Sequence, residues 1–190
     1  AHSRGIIHAD LKPGNILVMH TNMANDAVMQ LDVAVCDFGV SGSSSSSTAG
    51  THGSAVVEPP SALWGHSAEA VAKVRTDRAG RGTRGYASPE QRGLVDAHVM
   101  YASDVWSFGV ILRELLSRGR WHHSYLVVKG VTAMLSCLHE ELSEELLWLR
   151  GAVGPDVYVT ITDLLMSCLL FEPSARASMA DIRCKLAATL

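Results

Sequence analysis

The sequence predicts a mostly helical domain that carries a small β patch near its N-terminal end. Three observations indicate this fold class. Short β-branched and apolar runs are confined to the first 36 residues, a serine-rich stretch follows them, and only helical periodicity occurs after residue 100. With 190 residues, of which 47% are hydrophobic and 18% charged, the chain is long and apolar enough for a sizeable core. We therefore expect residues 1–190 to form one domain.

Three short apolar runs predict the strands of the β patch. These runs cover residues 6–7, 16–18 and 33–36. The stretch 19–32 contains Asn and Asp residues, which favour turns, and we expect it to be a long turn.

A change in composition separates the strands from the helices. Residues 43–47 are all serine, and Gly, His, Pro and Ser remain frequent as far as Trp64. Segments with so little apolar content cannot bury enough surface to fold alone. We therefore predict a flexible insert over residues 41–80.

The strongest helix prediction covers residues 101–118, where we expect Gly119 to end the helix. Its apolar side chains recur at helical spacing: Phe108, Ile111, Leu112, Leu115 and Leu116. A second helix is expected over residues 135–150, ending at Gly151. Trp106 and Phe108 are most simply core aromatic residues.

Two further helices are expected towards the C-terminus. The first has apolar residues from Ile161 to Leu169 at helical spacing and ends before Pro173. Ser178 and Asp181 then resemble a capping box, in which Asp replaces the usual Glu. An apolar stripe of Ile182, Leu186 and Leu190 follows, so the second half of the chain is predicted to be helical.

Composition excludes several classes of function. The net charge of −3 gives no basic surface for nucleic acid, and no apolar run is long enough to span a membrane. The four cysteines lie far apart, and the nine histidines are scattered, so neither set has zinc-ligand spacing. A reducing, intracellular and cytoplasmic setting is expected.

Four polar residues near the N-terminal strands have the types that phosphoryl transfer requires. Asp10 can accept a hydroxyl proton, and Lys12 can neutralise charge on a transferring phosphoryl group. Asn15 and Asp37 offer oxygen ligands that could hold Mg²⁺ against the phosphates of a nucleotide. Each residue alone could be structural or accidental, so the argument depends on their order and spacing.

The ordered set of motifs resembles the C-terminal lobe of eukaryotic protein kinases. The matching motifs are His8-Ala9-Asp10-Leu11-Lys12-Pro13-Gly14-Asn15, Asp37-Phe38-Gly39, Gly82-Thr83, Pro89-Glu90, Asp104-Val105-Trp106-Ser107-Phe108-Gly109 and Arg176. This resemblance implies the helical C-terminal lobe of the protein-kinase-like fold, with the β patch at the catalytic cleft. It also implies ATP-dependent phosphorylation of protein Ser/Thr hydroxyls, with ATP and Mg²⁺ as cofactors.

The resemblance assigns roles to individual residues. Asp10, Lys12 and Thr83 would be catalytic, with Thr83 hydrogen-bonded to the other two. Asn15 and Asp37 would hold Mg²⁺, Gly39 would permit the sharp turn after Asp37, and Leu17 would pack beneath adenine. Lysine at position 12 resembles the serine/threonine kinases rather than the tyrosine kinases.

Five other residues are implied to support the site. Glu90 and Arg176 would form a buried ion pair, and Asp104 would accept hydrogen bonds from the backbone of the catalytic loop. His8 and Phe38 would stack on each other.

The chain departs from the kinase pattern in three ways. Ala9 replaces the usual Arg, which normally binds a phosphate on the activation segment. The segment between Asp37 and Glu90 is long, and the motifs of the N-terminal lobe are absent from these 190 residues. We therefore expect a partial domain that is inactive by itself, with the tyrosine-kinase-like group as the subgroup. A pseudokinase acting as an interaction module and a small-molecule phosphotransferase are the alternatives.

Overall fold

A computed structural model describes residues 1–24, 28–39, 42–43, 82–97, 99–118 and 146–189. Within these ranges, every strand precedes residue 44 and every α-helix follows residue 100, which agrees with the predicted order of strands before helices, although a strand at residues 42–43 was not predicted. The strands are β1 (Ile6–Ile7), β2 (Ile16–Ala24), β3 (Val28–Val35) and β4 (Gly42–Ser43). The helices are α1 (Tyr101–Leu116), α2 (Leu147–Val153), α3 (Pro155–Cys168) and α4 (Met179–Thr189).

Strands β2 and β3 form an antiparallel pair that is longer than expected. Ile16 pairs with Val35 at one end and Ala24 with Val28 at the other, with an irregularity between Val18 and His20. The prediction of a long turn over residues 19–32 was therefore wrong, because most of that stretch belongs to the two strands. Continued pairing gives these backbone groups hydrogen-bond partners that a long loop would lack.

Strands β1 and β4 form a second antiparallel pair. Ile6 lies opposite Ser43, and Ile7 lies opposite Gly42. Strand β4 lies at the N-terminal edge of the predicted flexible insert, residues 41–80, and that insert stays a prediction. The rest of that insert lies outside the described residues.

Helix α1 is the central helix of the fold, and its Trp106 and Val110 are fully buried. It ends at Leu116 rather than at residue 118, because Arg118 has a φ of +54°, which is incompatible with a right-handed helix. Trp148 of α2 caps this end, since its indole Nε1 donates a hydrogen bond of 2.9 Å to the Leu116 carbonyl. Gly119, the expected end of α1, is outside the described residues.

Helix α2 passes through Gly151 and ends at Val153, directly before Gly154, so the expected stop at Gly151 was wrong. Gly154 has a φ of +83°, a conformation that favours glycine, and Pro155 then occupies the first position of α3. A glycine inside a helix costs only about 1 kcal/mol relative to alanine, which the packing of α2 can offset. Residues 135–145 of the predicted helix lie outside the described residues.

Helix α4 begins with the predicted capping box. The Ser178 N–H donates to Asp181 Oδ2 at 3.2 Å, and the Asp181 N–H donates to Ser178 Oγ at 3.1 Å. These bonds satisfy backbone donors that a helix N-terminus leaves free. Ile182 is buried in the core and Leu186 packs against it, while Leu190 is outside the described residues.

The main hydrophobic core joins α1, α3 and α4 to the loop that carries Asp10. Its buried members are Leu11, Tyr86, Val105, Trp106, Val110, Ile111, Leu146, Leu164, Leu165, Cys168, Leu169 and Ile182. Phe108 packs against this cluster, which agrees with the prediction of core aromatics. A Cβ on Gly109 would lie 2.7 Å from the Cβ of Cys168, so glycine is what allows α1 to approach α3 this closely.

The described cysteines Cys36, Cys168 and Cys184 are free thiols. Burial raises the pKa of the Cys168 thiol to about 11. No helix in the described ranges is long and apolar enough to cross a membrane.

Candidate active site

The loop of residues 8–15 is fixed to α1 through its backbone. Asp104, in the first turn of α1, accepts hydrogen bonds of 2.8 Å from the backbone N–H groups of both His8 and Ala9. Its side chain also lies 2.8 Å from His2 Nε2. Leu11 enters the core beside this anchor, so the two residues that flank Asp10 are both held by buried structure.

Asp10, Lys12 and Thr83 form one hydrogen-bonded cluster. Lys12 Nζ donates to Asp10 Oδ2 at 2.8 Å and to Thr83 Oγ1 at 2.9 Å. Thr83 donates to Asp10 Oδ1 through its backbone N–H at 2.7 Å and through its hydroxyl at 2.9 Å. The carboxylate is thus fixed at both oxygens, although Thr83 is 73 positions from Asp10.

The surroundings of Asp10 keep it ionised. Burial by itself raises its pKa, but hydrogen bonds from Lys12 and Thr83 and the positive charge of Lys12 outweigh that effect. The net result is a pKa of Asp10 below its ordinary value. At neutral pH the group is therefore a carboxylate that can accept a hydrogen bond.

Asn15 and Asp37 provide the oxygen atoms expected of a magnesium site. The buried Asn15 side chain donates from Nδ2 to the Asp10 carbonyl at 2.9 Å, which leaves its amide oxygen for another partner. Asp37 is exposed and has a φ of +59°. One carboxylate and one amide oxygen fit Mg²⁺, which commonly takes its other ligands from phosphates and water. No cluster of three or more His, Cys, Asp or Glu side chains suited to a metal occurs within the described ranges.

The two residues after Asp37 hold its turn. The Gly39 N–H lies 3.4 Å from Asp37 Oδ1, and a Cβ on Gly39 would come within 3.1 Å of the same oxygen. The ring of Phe38 lies 4.7 Å from that of His8 at an angle of 50°, which is the predicted contact. His8 Nε2 also lies 2.9 Å from the Cys36 carbonyl oxygen, so the residues on both sides of Asp37 in sequence contact His8. Leu17 is about half exposed on β2.

Glu90 and Arg176 form a buried bidentate ion pair. The guanidinium donates at 2.7 Å to Glu90 Oε1 and at 2.9 Å to Oε2, and both side chains are fully buried. Ser103 Oγ also donates to Glu90 Oε1 at 2.7 Å. Arg176 uses its remaining donors on three backbone carbonyls, those of Ala102, Leu170 and Phe171. Charges buried with this many partners are stable as a set.

A pocket of about 760 Å³ adjoins the Asp10 loop, since His8, Leu11 and Phe38 are among the residues that line it. Its lining includes His2, Tyr101, Val105 and Met179. Asp10, Lys12, Asn15 and Thr83 are absent from the described residues that line it. The pocket therefore borders the residues that flank Asp10, although the polar cluster itself does not line it.

Comparison with known protein families accounts for this arrangement. The family described as the protein kinase domain matches residues 1–186. The chain belongs to the protein kinase domain family.

Curated relatives of this kinase domain include serine/threonine and mitogen-activated protein kinases. Serine/threonine-protein kinase ksg1 of Schizosaccharomyces pombe is 30% identical over 183 residues, covering 95% of this chain and 25% of the relative. Mitogen-activated protein kinase KSS1 of Saccharomyces cerevisiae is 28% identical over 205 residues, covering 95% and 47%. Serine/threonine-protein kinase PknB of Mycobacterium leprae is 35% identical over 119 residues, covering 62% and 13%. The chain thus spans less than half the length of each of these relatives.

Sequence reasoning missed two polar contacts of the kinase domain. Tyr86 donates a hydrogen bond of 2.7 Å to Glu114 of α1, and burial together with this carboxylate raises the pKa of the phenol. Gln91, almost fully buried, donates from Nε2 to the Ala9 carbonyl at 2.7 Å. Neither pair follows a periodic pattern, and the partners are 28 and 82 positions apart, so no local signal in the sequence indicates them.

Proposed function

We propose that the full-length protein containing this domain transfers the γ-phosphoryl group of ATP to Ser and Thr hydroxyls of proteins. The observation that carries this proposal is the cluster of Asp10, Lys12 and Thr83. It holds a carboxylate ionised and fixed beside a lysine ammonium, with distances of 2.7 to 2.9 Å. The serine/threonine kinases among the relatives support the same substrate class.

The residues of the cluster would divide the chemistry between them. Asp10 would orient the substrate hydroxyl and accept its proton as the oxygen attacks the γ-phosphorus. Lys12, already bonded to Asp10, would stabilise negative charge on the transferring group. Asn15 and Asp37 would hold Mg²⁺, which supplies charge neutralisation at the phosphates when bound.

We further propose that these residues are the helical C-terminal lobe of the kinase domain. An N-terminal lobe elsewhere in the full-length protein would complete the nucleotide-binding site. The short coverage of the relatives supports this assignment. Leu17, exposed on β2, would then contact the adenine ring. The sequence around Asp10 supports the tyrosine-kinase-like group, and the separated cysteines support an intracellular, cytoplasmic location.

A role as a pseudokinase would require the cluster to be non-functional. All four polar residues, Asp10, Lys12, Asn15 and Asp37, are present, and the first three are joined by hydrogen bonds. This geometry favours the enzyme over a purely interacting module.

The proposed activity can be tested with the full-length protein, γ-labelled ATP and a mixture of generic peptides. We expect Mg²⁺-dependent labelling of Ser/Thr peptides and no labelling of matched peptides in which Tyr is the only acceptor. A sample with excess chelator is the control for metal dependence. Label confined to Tyr, or absent from every peptide at all Mg²⁺ concentrations, would contradict the proposal.

The 190-residue chain alone should bind Mg-ATP weakly and show no meaningful kinase activity. The reason is that a lysine holding the phosphates in kinases belongs to the N-terminal lobe, whose motifs these residues lack. Calorimetric titration of the purified chain with Mg-ATP measures this directly, with the full-length protein as the reference. Low-micromolar affinity for the isolated chain would show the prediction to be wrong.

A further inference from the structure

The backbone of Ala9, the residue before Asp10, is hydrogen-bonded at both its N–H and its carbonyl group. On one side, the Ala9 N–H donates to Asp104 Oδ1 at 2.8 Å. On the other, the Ala9 carbonyl accepts a hydrogen bond of 2.7 Å from Gln91 Nε2. Ala9 is buried, so no solvent replaces either partner. The second bond comes from the segment that follows Pro89-Glu90, far from the loop in sequence.

Ala9 needs these bonds because its backbone is strained. Its φ is +64°, in the left-handed region that residues with a Cβ adopt at a cost in free energy. Such conformations persist only where the surrounding structure imposes them. The orientation of the Asp10 side chain depends directly on this torsion, since Asp10 is the next residue.

The Gln91 amide is itself oriented by its neighbours. Its Oε1 accepts hydrogen bonds from the Ser88 N–H at 3.0 Å and from the Ser88 hydroxyl at 3.1 Å. Because a backbone N–H can only donate, the amide oxygen must face Ser88 and the amide nitrogen must face Ala9. A Cβ on Gly82 would lie 3.1 Å from the Ala9 oxygen and 3.3 Å from Gln91 Nε2, so glycine leaves room for this bond.

We propose that Gln91 is a positioning residue for Asp10, acting through its hydrogen bond to the Ala9 carbonyl. It links the Ser88–Gln91 segment, anchored by the Glu90–Arg176 pair, to the residue that precedes Asp10. This proposal rests on the proposed function only in that Asp10 is taken to be the catalytic base. The bond itself can be tested without any assay of activity.

The first experiment measures backbone hydrogen exchange in the full-length protein. Gln91→Met keeps the approximate volume but removes all three hydrogen bonds of the side-chain amide, whereas Gln91→Glu keeps an acceptor for Ser88 and loses the donor to Ala9. We expect the amides of Ala9 and Asp10 to exchange about tenfold faster in both variants, the factor expected for one buried hydrogen bond. The amides of α3 are the internal reference and should not change.

The second experiment measures steady-state kinetics of the same variants. We expect kcat per folded molecule to fall at least about tenfold with KM for ATP nearly unchanged, because misplacing a catalytic group slows chemistry more than binding. Leu94→Ala is the control, since Leu94 is an exposed residue three positions after Gln91 and its change should leave both constants unchanged. Ser88→Ala, which removes one of the two bonds that orient the amide, should lower kcat in the same direction but less.

The two experiments separate failure of this proposal from failure of the proposed function. Unchanged exchange at Ala9 and Asp10, or a kcat per folded molecule equal to wild type, would overturn the role of Gln91. A wild-type protein without phosphotransfer would overturn the proposed function, and the exchange data would still decide whether Gln91 holds the loop. If Gln91→Met does not fold, Ser88→Ala provides the same two measurements.

Discussion

Replacing Asp10 or Asp37 by Asn in the full-length kinase should lower kcat by roughly 10²-fold or more, the size typical of general-base and electrostatic contributions. At Asp10, the amide oxygen of Asn could still accept from the Thr83 N–H, so the loop should keep its shape. What disappears is the carboxylate that accepts the proton. At Asp37, the change removes the one carboxylate among the candidate magnesium ligands.

Initial rates with a generic Ser/Thr peptide, together with circular dichroism and thermal melting, test this expectation. Asp163→Asn is the matched control, because Asp163 is an exposed carboxylate on α3 and should tolerate the same change in charge. Lost activity with retained melting behaviour is the expected pattern for the two site variants. Phosphorylation near the wild-type rate by either variant would exclude the role assigned to that residue.

Arg176→Met should lower the free energy of unfolding by ~3–5 kcal/mol, because it leaves the Glu90 carboxylate buried without its partner. Ser103 would remain the only side-chain donor to Glu90 among the described contacts. The double variant Glu90→Gln/Arg176→Met should be less destabilised than the single variant, since it buries no uncompensated charge. Urea denaturation of the full-length protein, followed by tryptophan fluorescence, measures the difference.

Arg150→Met is the control for this change, because Arg150 is exposed on α2 and its loss should have little effect. The effect should also depend on pH. Burial raises the pKa of Glu90. The hydrogen bonds and charge of Arg176 and the hydrogen bond from Ser103 lower that pKa by more than burial raises it, so the folded-state pKa lies below the ordinary value. The pair therefore stabilises the fold above the pKa of Glu in the unfolded chain, and this contribution is lost as the pH falls through the folded pKa. Equal stability of Arg176→Met and wild type at neutral pH would contradict the prediction.

Elements with a regular apolar pattern, and residues that belong to a known motif, could be predicted from the sequence. The periodic apolar residues of α1 located a helix within two residues of its true end, and the Ser178–Asp181 spacing located the start of α4. The partners Glu90 and Arg176, 86 positions apart, were found only through resemblance to kinases.

Other features depend on tertiary contacts that no local pattern encodes. Helix α2 ends before Gly154 rather than at Gly151 because Gly154 has a positive φ. The sequence has glycine at both positions and does not indicate which of the two adopts that conformation. The extension of β2 and β3 depends on pairing between the two strands, whereas composition alone favoured a turn. Gln91 has its role because the fold brings it to Ala9 across 82 positions.

The anchoring of the loop by Asp104 has a consequence for which substitutions the loop can accept. Asp104 accepts from the backbone N–H groups of His8 and Ala9, and every residue except proline supplies such a donor. The attachment of the loop to α1 therefore depends on the carboxylate of Asp104 and hardly on the side chain at position 9. Alanine at position 9 therefore keeps both backbone hydrogen bonds to Asp104, and the Asp10 loop stays attached to α1. The attachment of the loop to α1 is thus independent of whether position 9 carries a charged side chain.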